Sequence, residues 1–315
     1  MVSRFDYSYS KKQKKSVNKS IAVIAFIIVI TIFIYAKSRT SNVISPLPDK
    51  YQVKFNNEII TTASPINPEE LKKTIAKIAN AQWNNYSILI VDLNNDFEVD
   101  IGGNIIYDAA SVNKIPILAA LYSEVNSGNI DLNKSITLKA KNIQDYGTGS
   151  IRYDPPGSTY SIKTLARLMM VESDNTAAYI LANLVLKQKD IQFFVENWGM
   201  TQTDMIKNTT SNRDIAILMK KIYQGEITNP SYTKEMLEFM TDSLFEDRIP
   251  ALLPPEVKVY HKIGNGTKLY HDAGVVETKN TVYYIGIFTS DVPDEKSTFE
   301  TEAKISKTVY DFLNK

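Results

Sequence analysis

The sequence predicts an α+β protein: an antiparallel sheet flanked by helices, with an inserted all-helical lobe and an N-terminal transmembrane helix. Three observations lead there. Strand-like segments cluster at both ends of the globular part and helical periodicity fills its middle, so distant segments must complete one sheet. An apolar run follows a basic N-terminus. The remaining length is ample for a buried core.

The N-terminal elements are read from charge. Arg4, Lys11, Lys12, Lys14, Lys15 and Lys19 face a single acid, Asp6, which makes residues 1–19 a basic cytoplasmic tail. The unbroken apolar run Ile21–Ala36 makes 20–36 a transmembrane anchor and places everything after Lys37 outside a bacterial cell membrane. Ala36-Lys37-Ser38 has the small-x-small form of a cleavage site, so a cleaved signal and a secreted product are the alternative. Residues 37–66, with Pro46, Pro48 and Pro65, read as a linker, with a short strand near Gln52–Ile60.

A globular domain spans 67–315, with a sheet lobe from 67–106 and 245–315 and a helical lobe from 107–244. Pro68-Glu69-Glu70 opens a helix whose Leu71, Ile75 and Ile78 form an apolar stripe. Tyr86–Leu93 and Phe97–Ile101 flank the turn Asn94-Asn95-Asp96 as a hairpin. Ser111–Asn126, Ser161–Glu172, Asn175–Leu186, Lys189–Asn197, Ser211–Tyr223 and Ser231–Leu244 carry the helical period. Val257–Ile263, Tyr270–Thr278 and Thr281–Thr289 return to strands, and a helix over Ser297–Phe312 closes the chain.

Composition excludes much chemistry. No cysteine is present, which removes disulfides, thiolate catalysis and most zinc sites. With only His261 and His271, a histidine-built metal cage is not expected, and no metal or organic cofactor is implied. A net charge of +1 argues against nucleic acid as a partner.

Three short motifs remain. Ser111-Val112-Asn113-Lys114 sets a hydroxyl and an amine on one helix face, and an amine there can serve as base to a weak alcohol nucleophile. Alone, it reads first as a capping serine and a solvated lysine, because Ser and Lys three apart occur by chance in most proteins. Ser173-Asp174-Asn175 falls at a break between helices, where the same residues are ordinary caps. His261-Lys262-Ile263-Gly264 ends a strand, and its glycine lets a ligand approach the backbone.

In this order, and on these elements, the three motifs resemble those of class A β-lactamases and penicillin-binding serine hydrolases. Asp154-Pro155-Pro156-Gly157, Glu172 through Ala178, Tyr107-Asp108-Ala109-Ala110 and Tyr270 through Gly274 extend the resemblance over roughly 67–315. It implies an acyl-enzyme on Ser111, with Lys114 as base. Ser173 would relay a proton to the leaving nitrogen beside Lys262, and Asn175 would hold the substrate amide. The backbone N–H groups of Ser111 and Asn265 would form the oxyanion hole, with Gly264 and Thr267 as further substrate contacts. The implied partner is a small β-lactam or peptidoglycan-type substrate; another ester or amide also stays open.

Two departures stand out. The loop Gly199–Ser211 holds no glutamate to activate a deacylating water, and Asp204 is its only carboxylate, so slow deacylation is expected. Ile263 stands where the family usually has Thr or Ser, and Thr267 or His271 would have to compensate for that hydroxyl. These departures fit a rival reading, a catalytically quiet cell-wall or partner-binding module. A Ser-His-Asp hydrolase fits poorly: no G-x-S-x-G occurs, and His271 beside Asp272 reads as a strand-turn pair.

Overall fold

The computed structural model describes residues 67–315, Asp242 excepted. The tail, the apolar run, the linker and its expected short strand lie outside the described residues. Among the described residues, no helix is long and apolar enough to cross a membrane.

Helix α1 (Pro68–Asn80) begins where the Asn67 side chain accepts the Glu69 N–H at 3.0 Å, with proline in its first turn. It leads into β1 (Asn85–Asp92) and β2 (Glu98–Ile101), which pair as an antiparallel hairpin. The other three strands come from the far end of the chain: β7 (Lys258–Gly266), β8 (Leu269–Glu277) and β9 (Val282–Ser290). Together they form one antiparallel sheet in the order β2-β1-β9-β8-β7, so the first and last parts of the fold meet where β1 pairs with β9.

Both faces of this sheet are covered, which explains why its strands read as continuous apolar runs. Ile88 and Ile90 of β1 and Tyr283, Ile285 and Ile287 of β9 point to a core shared with α1 and α8 (Glu295–Leu313). Leu89, Tyr284 and Phe288 point the opposite way, into the larger core shared with the middle of the chain. That middle comprises α2 (Lys114–Asn126), α3 (Ile162–Val171), α4 (Asn175–Ile180), α5 (Gln188–Asn197), α6 (Asn212–Tyr223) and α7 (Pro230–Thr241).

Helix α6 lies directly on the sheet. Buried Asn212 at its start donates to the Gly286 carbonyl at 2.9 Å and accepts from the Tyr284 hydroxyl at 2.7 Å. Two details depart from the sequence expectations. The helix expected over Asn175–Leu186 is α-helical only to Ile180 and continues as a π turn over Leu181–Val185, where Leu186 N–H reaches back five residues to Leu181. Two small pairings add to the expected strands: β3 (Ile106–Asp108) with β6 (Thr209–Ser211), and β4 (Ser135–Thr137) with β5 (Thr159–Ser161). Three-residue strands are too short for a period-2 signal.

Candidate active site

Ser111 sits in a tight 3-10 turn, Ala110–Asn113, immediately before α2. The turn starts with Ala110 at φ 44°, a conformation costly for a residue with a side chain. What surrounds it holds it there. The Asp108 carboxylate accepts the Ala110 N–H at 3.0 Å, and the Ala109 N–H donates to the Asn208 carbonyl at 2.8 Å. Strand β7 presses from the other side. A Cβ at Gly264 would stand 3.0 Å from the Ala109 carbonyl, 3.1 Å from Val112 Cγ2 and 3.3 Å from Ala110 Cβ. The glycine expected to admit a ligand therefore admits the Ser111 turn itself.

Lys114 is buried, and its Nζ has four oxygens within reach. These are Ser111 Oγ at 3.0 Å, Ser173 Oγ at 3.0 Å, the Ser173 carbonyl at 2.5 Å and Asn175 Oδ1 at 2.8 Å. The Asn175 amide is oriented by its Nδ2, which donates to the Tyr146 carbonyl at 3.1 Å. Burial lowers the Lys114 pKa to about 7, against an upward pull from Asp174. A neutral amine has two N–H groups and one lone pair. The Ser173 carbonyl and Asn175 Oδ1 can only accept, so they take both hydrogens. The lone pair is left for the two hydroxyls, and it can take the proton of either.

Ser173 bridges the two lysines. Its Oγ lies 3.0 Å from Lys262 Nζ as well as 3.0 Å from Lys114 Nζ. It occupies the corner between α3 and α4 at φ 54°, the left-handed region that a non-glycine residue enters at a cost. Asp174 secures that corner: Oδ1 caps α4 at Ala177 N–H, 2.7 Å away, and Oδ2 accepts the Ile151 N–H at 2.9 Å. Lys262, fully buried on the edge strand β7, is held well below the ordinary amine range by burial first and by the Lys114 charge second.

A cleft of about 510 Å³ opens onto these groups; Ser111, Lys114, Asn175 and Asn265 all line it. The structure thus brings Ser111, Lys114, Ser173, Asn175, Lys262 and Asn265 into one neighbourhood. Thr267 is not part of it. β7 runs on to Gly266, so Thr267 falls in the exposed β7–β8 turn and does not line the cleft. Ile263 is buried, 3% exposed.

His271 does not reach the cleft either. Its buried ring stacks on Phe288, donates from Nε2 to the Asp108 carbonyl at 2.8 Å and accepts the Thr289 N–H at Nδ1, and burial lowers its pKa to about 4. Its neighbour on β8, Asp272, pairs instead with His261 Nδ1 at 2.7 Å, so His271 and Asp272 form no dyad. Burial would depress His261, but the Asp272 and Glu246 carboxylates together outweigh it and bring the pKa up to about 9.

Several site residues carried no sequence signal. Arg248 is wholly buried and stacks over Phe299 at 3.8 Å; it donates to Asn265 Oδ1 at 2.7 Å and to the His271 carbonyl at 2.9 Å. A relay of amides also straps the Ser111 turn. Asn208 Nδ2 donates to the Asp108 carboxylate at 2.9 Å, and Asn113 Nδ2 donates to Asn208 Oδ1 at 2.6 Å. The carboxylate can only accept, which fixes the direction of both amides. Asn208 adopts φ 57°, and an asparagine in a polar loop is the one hint that sequence offered.

Asp204 faces away from this centre. Its Oδ1 accepts the N–H groups of Ile206 and Lys207, both at 2.9 Å, and its Oδ2 pairs with Lys207 Nζ at 3.0 Å. No Asp or Glu lines the Ser111 cleft among the described residues.

The model of the β-lactamase enzyme family matches residues 70–313. The chain belongs to that family. Among its curated relatives, β-lactamase VEB-1 of Pseudomonas aeruginosa is 26% identical over 269 residues, covering 75% of this chain and 83% of that protein. The extended-spectrum β-lactamase PER-1 of the same species is 22% identical over 294 residues, covering 82% and 91%. Among solved structures, PBP-A superposes with a TM-score of 0.73 at 28% identity, covering 80% of this chain and 99% of that one. A PBP-A mutant solved as an acyl-enzyme complex with penicillin G matches equally well, with a TM-score of 0.73 at 27% identity over 80% and 99%. Family membership makes this a β-lactamase-like serine hydrolase with a β-lactamase/transpeptidase-like α+β fold.

Proposed function

We propose that the protein forms an acyl-enzyme on Ser111 with a β-lactam or a related amide, and that water releases the acyl group slowly. The observation that carries this reading is the setting of the Lys114 amine. Burial lowers its pKa to about 7, two acceptor-only carbonyls absorb its hydrogens, and its lone pair faces the Ser111 and Ser173 hydroxyls. Lys114 takes the Ser111 proton as Oγ attacks the carbonyl carbon. The negative charge that develops on the carbonyl oxygen meets the backbone N–H groups of Ser111 and Asn265, both at the cleft wall. Ser173 passes a proton to the departing nitrogen. Lys262, hydrogen-bonded to Ser173 Oγ at 3.0 Å, holds that hydroxyl in line for the transfer. Asn175 orients both Lys114 and the substrate amide.

Deacylation lacks a comparable device. No carboxylate lines the cleft among the described residues, so an attacking water has only Lys114 as base. This favours a penicillin-binding, peptidoglycan-peptidase-like enzyme over a rapid antibiotic-destroying one. We also propose that the catalytic domain lies outside a bacterial membrane, held by residues 20–36, on the strength of the basic residues before that apolar run.

Intact mass of the protein followed over time after benzylpenicillin tests the chemistry, with Ser111→Ala as control. A persistent adduct of one penicillin, absent from Ser111→Ala, is expected. A transient adduct with rapid nitrocefin turnover would refute slow deacylation; no adduct at all would leave only the quiet binding module.

A further inference from the structure

The last helix of the fold carries a carboxyl group that the chemistry above does not use. Glu302, on α8, is wholly buried, and neither of its side-chain oxygens has a hydrogen-bond partner among the described residues. An unbonded carboxyl inside a protein is costly to keep. Burial pushes its pKa well above the usual carboxylate range, and the Arg248 charge is the first force pulling it back.

The contact with Arg248 is direct. Glu302 Oε2 lies 3.8 Å from Arg248 Nε, a nitrogen that is itself buried and without a hydrogen bond among the described residues. Asp247 comes within 3.5 Å of the same nitrogen, but its side chain is half exposed, where water screens it. Phe299 precedes Glu302 by one turn on the same face of α8, and its ring is the one that the guanidinium covers. The helix thus meets Arg248 with a ring and a carboxyl together.

Arg248 passes this hold on to the cleft. Its Nη1 donates to the His271 carbonyl on β8 at 2.9 Å, and its Nη2 donates to Asn265 Oδ1 on β7 at 2.7 Å. A guanidinium can only donate, so it fixes which way the Asn265 amide faces. Asn265 is the last residue but one of an edge strand, paired with β8 on one side only. It lines the Ser111 cleft, whereas Glu302 does not. In the acyl-enzyme reading above, on which this rests, the Asn265 N–H is one of the two that receive the developing oxyanion.

We propose that Glu302 is a positioning residue for acylation: seated against Arg248, it keeps the guanidinium on Asn265 and so keeps the Asn265 N–H aimed at the oxyanion. Loss of one oxyanion donor costs roughly a hundredfold to a thousandfold in rate. A donor displaced by a few tenths of an ångström should cost about tenfold.

Stopped-flow acylation by benzylpenicillin tests this on the full-length protein in detergent, with intact mass counting the Ser111 that finally acylates. The variants are Glu302→Gln, Asn265→Ala and the two combined. Glu302→Gln keeps the size of the side chain and removes its charge, and the rate at saturating penicillin should fall about tenfold. Asn265→Ala keeps the backbone N–H and removes the amide that Arg248 grips, and a similar fall is expected. Because both act along one route, the double variant should be no slower than the slower single one. Normalising to the acylated fraction separates this from stability, since a purely structural role would lower that fraction and leave the rate of the folded molecules unchanged. Should Glu302→Gln not fold, Phe299→Leu is read in its place, alone and with Asn265→Ala, and a fall of about threefold is expected from withdrawing the ring. A wild-type rate in the single variant on α8, or a double variant slowed by the product of the two factors, overturns the role of Glu302 and leaves the serine chemistry standing. Absence of an adduct on the unaltered protein overturns the acyl-enzyme reading, and the role of Glu302 with it.

Discussion

The two sides of the Ser111 cleft contrast in how they hold their ionisable groups. On one side Lys114 and Lys262 are buried, each with its amine 3.0 Å from the buried Ser173 hydroxyl between them, and Lys114 is supplied with fixed acceptors. On the other, the loop bearing Asp204 offers a carboxylate that is partly exposed and fully engaged with its own backbone and Lys207. Both sides contain groups able to carry protons. Burial moves the Lys114 pKa to the operating pH and frees a lone pair beside the serine. The backbone N–H of Lys207, first among several partners, pulls the Asp204 pKa below its usual value and makes the group a poorer base. Proton-transfer capacity thus follows from what surrounds a group more than from its residue type.

The largest expected effect comes from removing the prepared amine. Lys114→Met should slow acylation by benzylpenicillin by roughly a thousandfold, as loss of a general base typically does. The wild-type rate should also follow the neutral fraction of Lys114. With a pKa of about 7, the amine is protonated and inert as a base below that pH, so acylation should decline about tenfold per unit as pH falls from 7 and level off above ~8. Stopped-flow acylation across pH checks both. A flat profile between pH 5.5 and 8.5 would mean that Lys114 is not the group that takes the proton.

Much of this side was legible in the sequence. Ser111 and Lys114 are three residues apart at a helix start, and Ser173, Asn175 and Lys262 fall in recognisable order on elements whose ends could be placed. Arg248 and the Asn113–Asn208–Asp108 relay were not legible, because each joins residues brought together only by long-range pairing. The relay depends on β3 and β6, three residues each and about a hundred positions apart. The π turn was hidden for a related reason: it follows an α-helical residue pattern and differs only in how its backbone bonds. Thr267 or His271 would have to replace the hydroxyl missing at Ile263, and neither is placed to do so. Thr267 lies past the end of β7, and His271, though paired with Gly264 in the ladder, has its ring buried against Phe288.

A smaller effect is expected from disturbing the packing behind the serine without touching any reacting group. In Gly264→Ala the new methyl meets the Ala109 carbonyl at 3.0 Å and the Val112 and Ala110 side chains at 3.1 and 3.3 Å. The turn bearing Ser111 must then retreat by a few tenths of an ångström. A shift of that size should reduce acylation roughly tenfold and cost about 1 kcal/mol of stability. Benzylpenicillin acylation rate and thermal unfolding measure the two separately. If the variant acylates at the wild-type rate, the close approach of β7 is not what aims the hydroxyl.

The smallest effect is expected at Asp204, and it decides whether the contrast is real. Asp204→Asn retains an oxygen for the Ile206 and Lys207 N–H groups and loses only the ion pair to Lys207, which is solvent-exposed and contributes little. The loop backbone is also held by Asp204 N–H to the Thr209 carbonyl at 2.9 Å and by Thr209 N–H to the Asp204 carbonyl at 3.1 Å, which the substitution leaves intact. The lifetime of the penicillin adduct should therefore match wild type, with at most a slight loss of thermal stability. If Asp204 swung inward in the acyl-enzyme to activate water, the amide could not replace it, and the adduct would persist far longer in the variant. Equal lifetimes would instead assign whatever slow release occurs to Lys114, whose lone pair is the proton acceptor that the closed side of the cleft supplies.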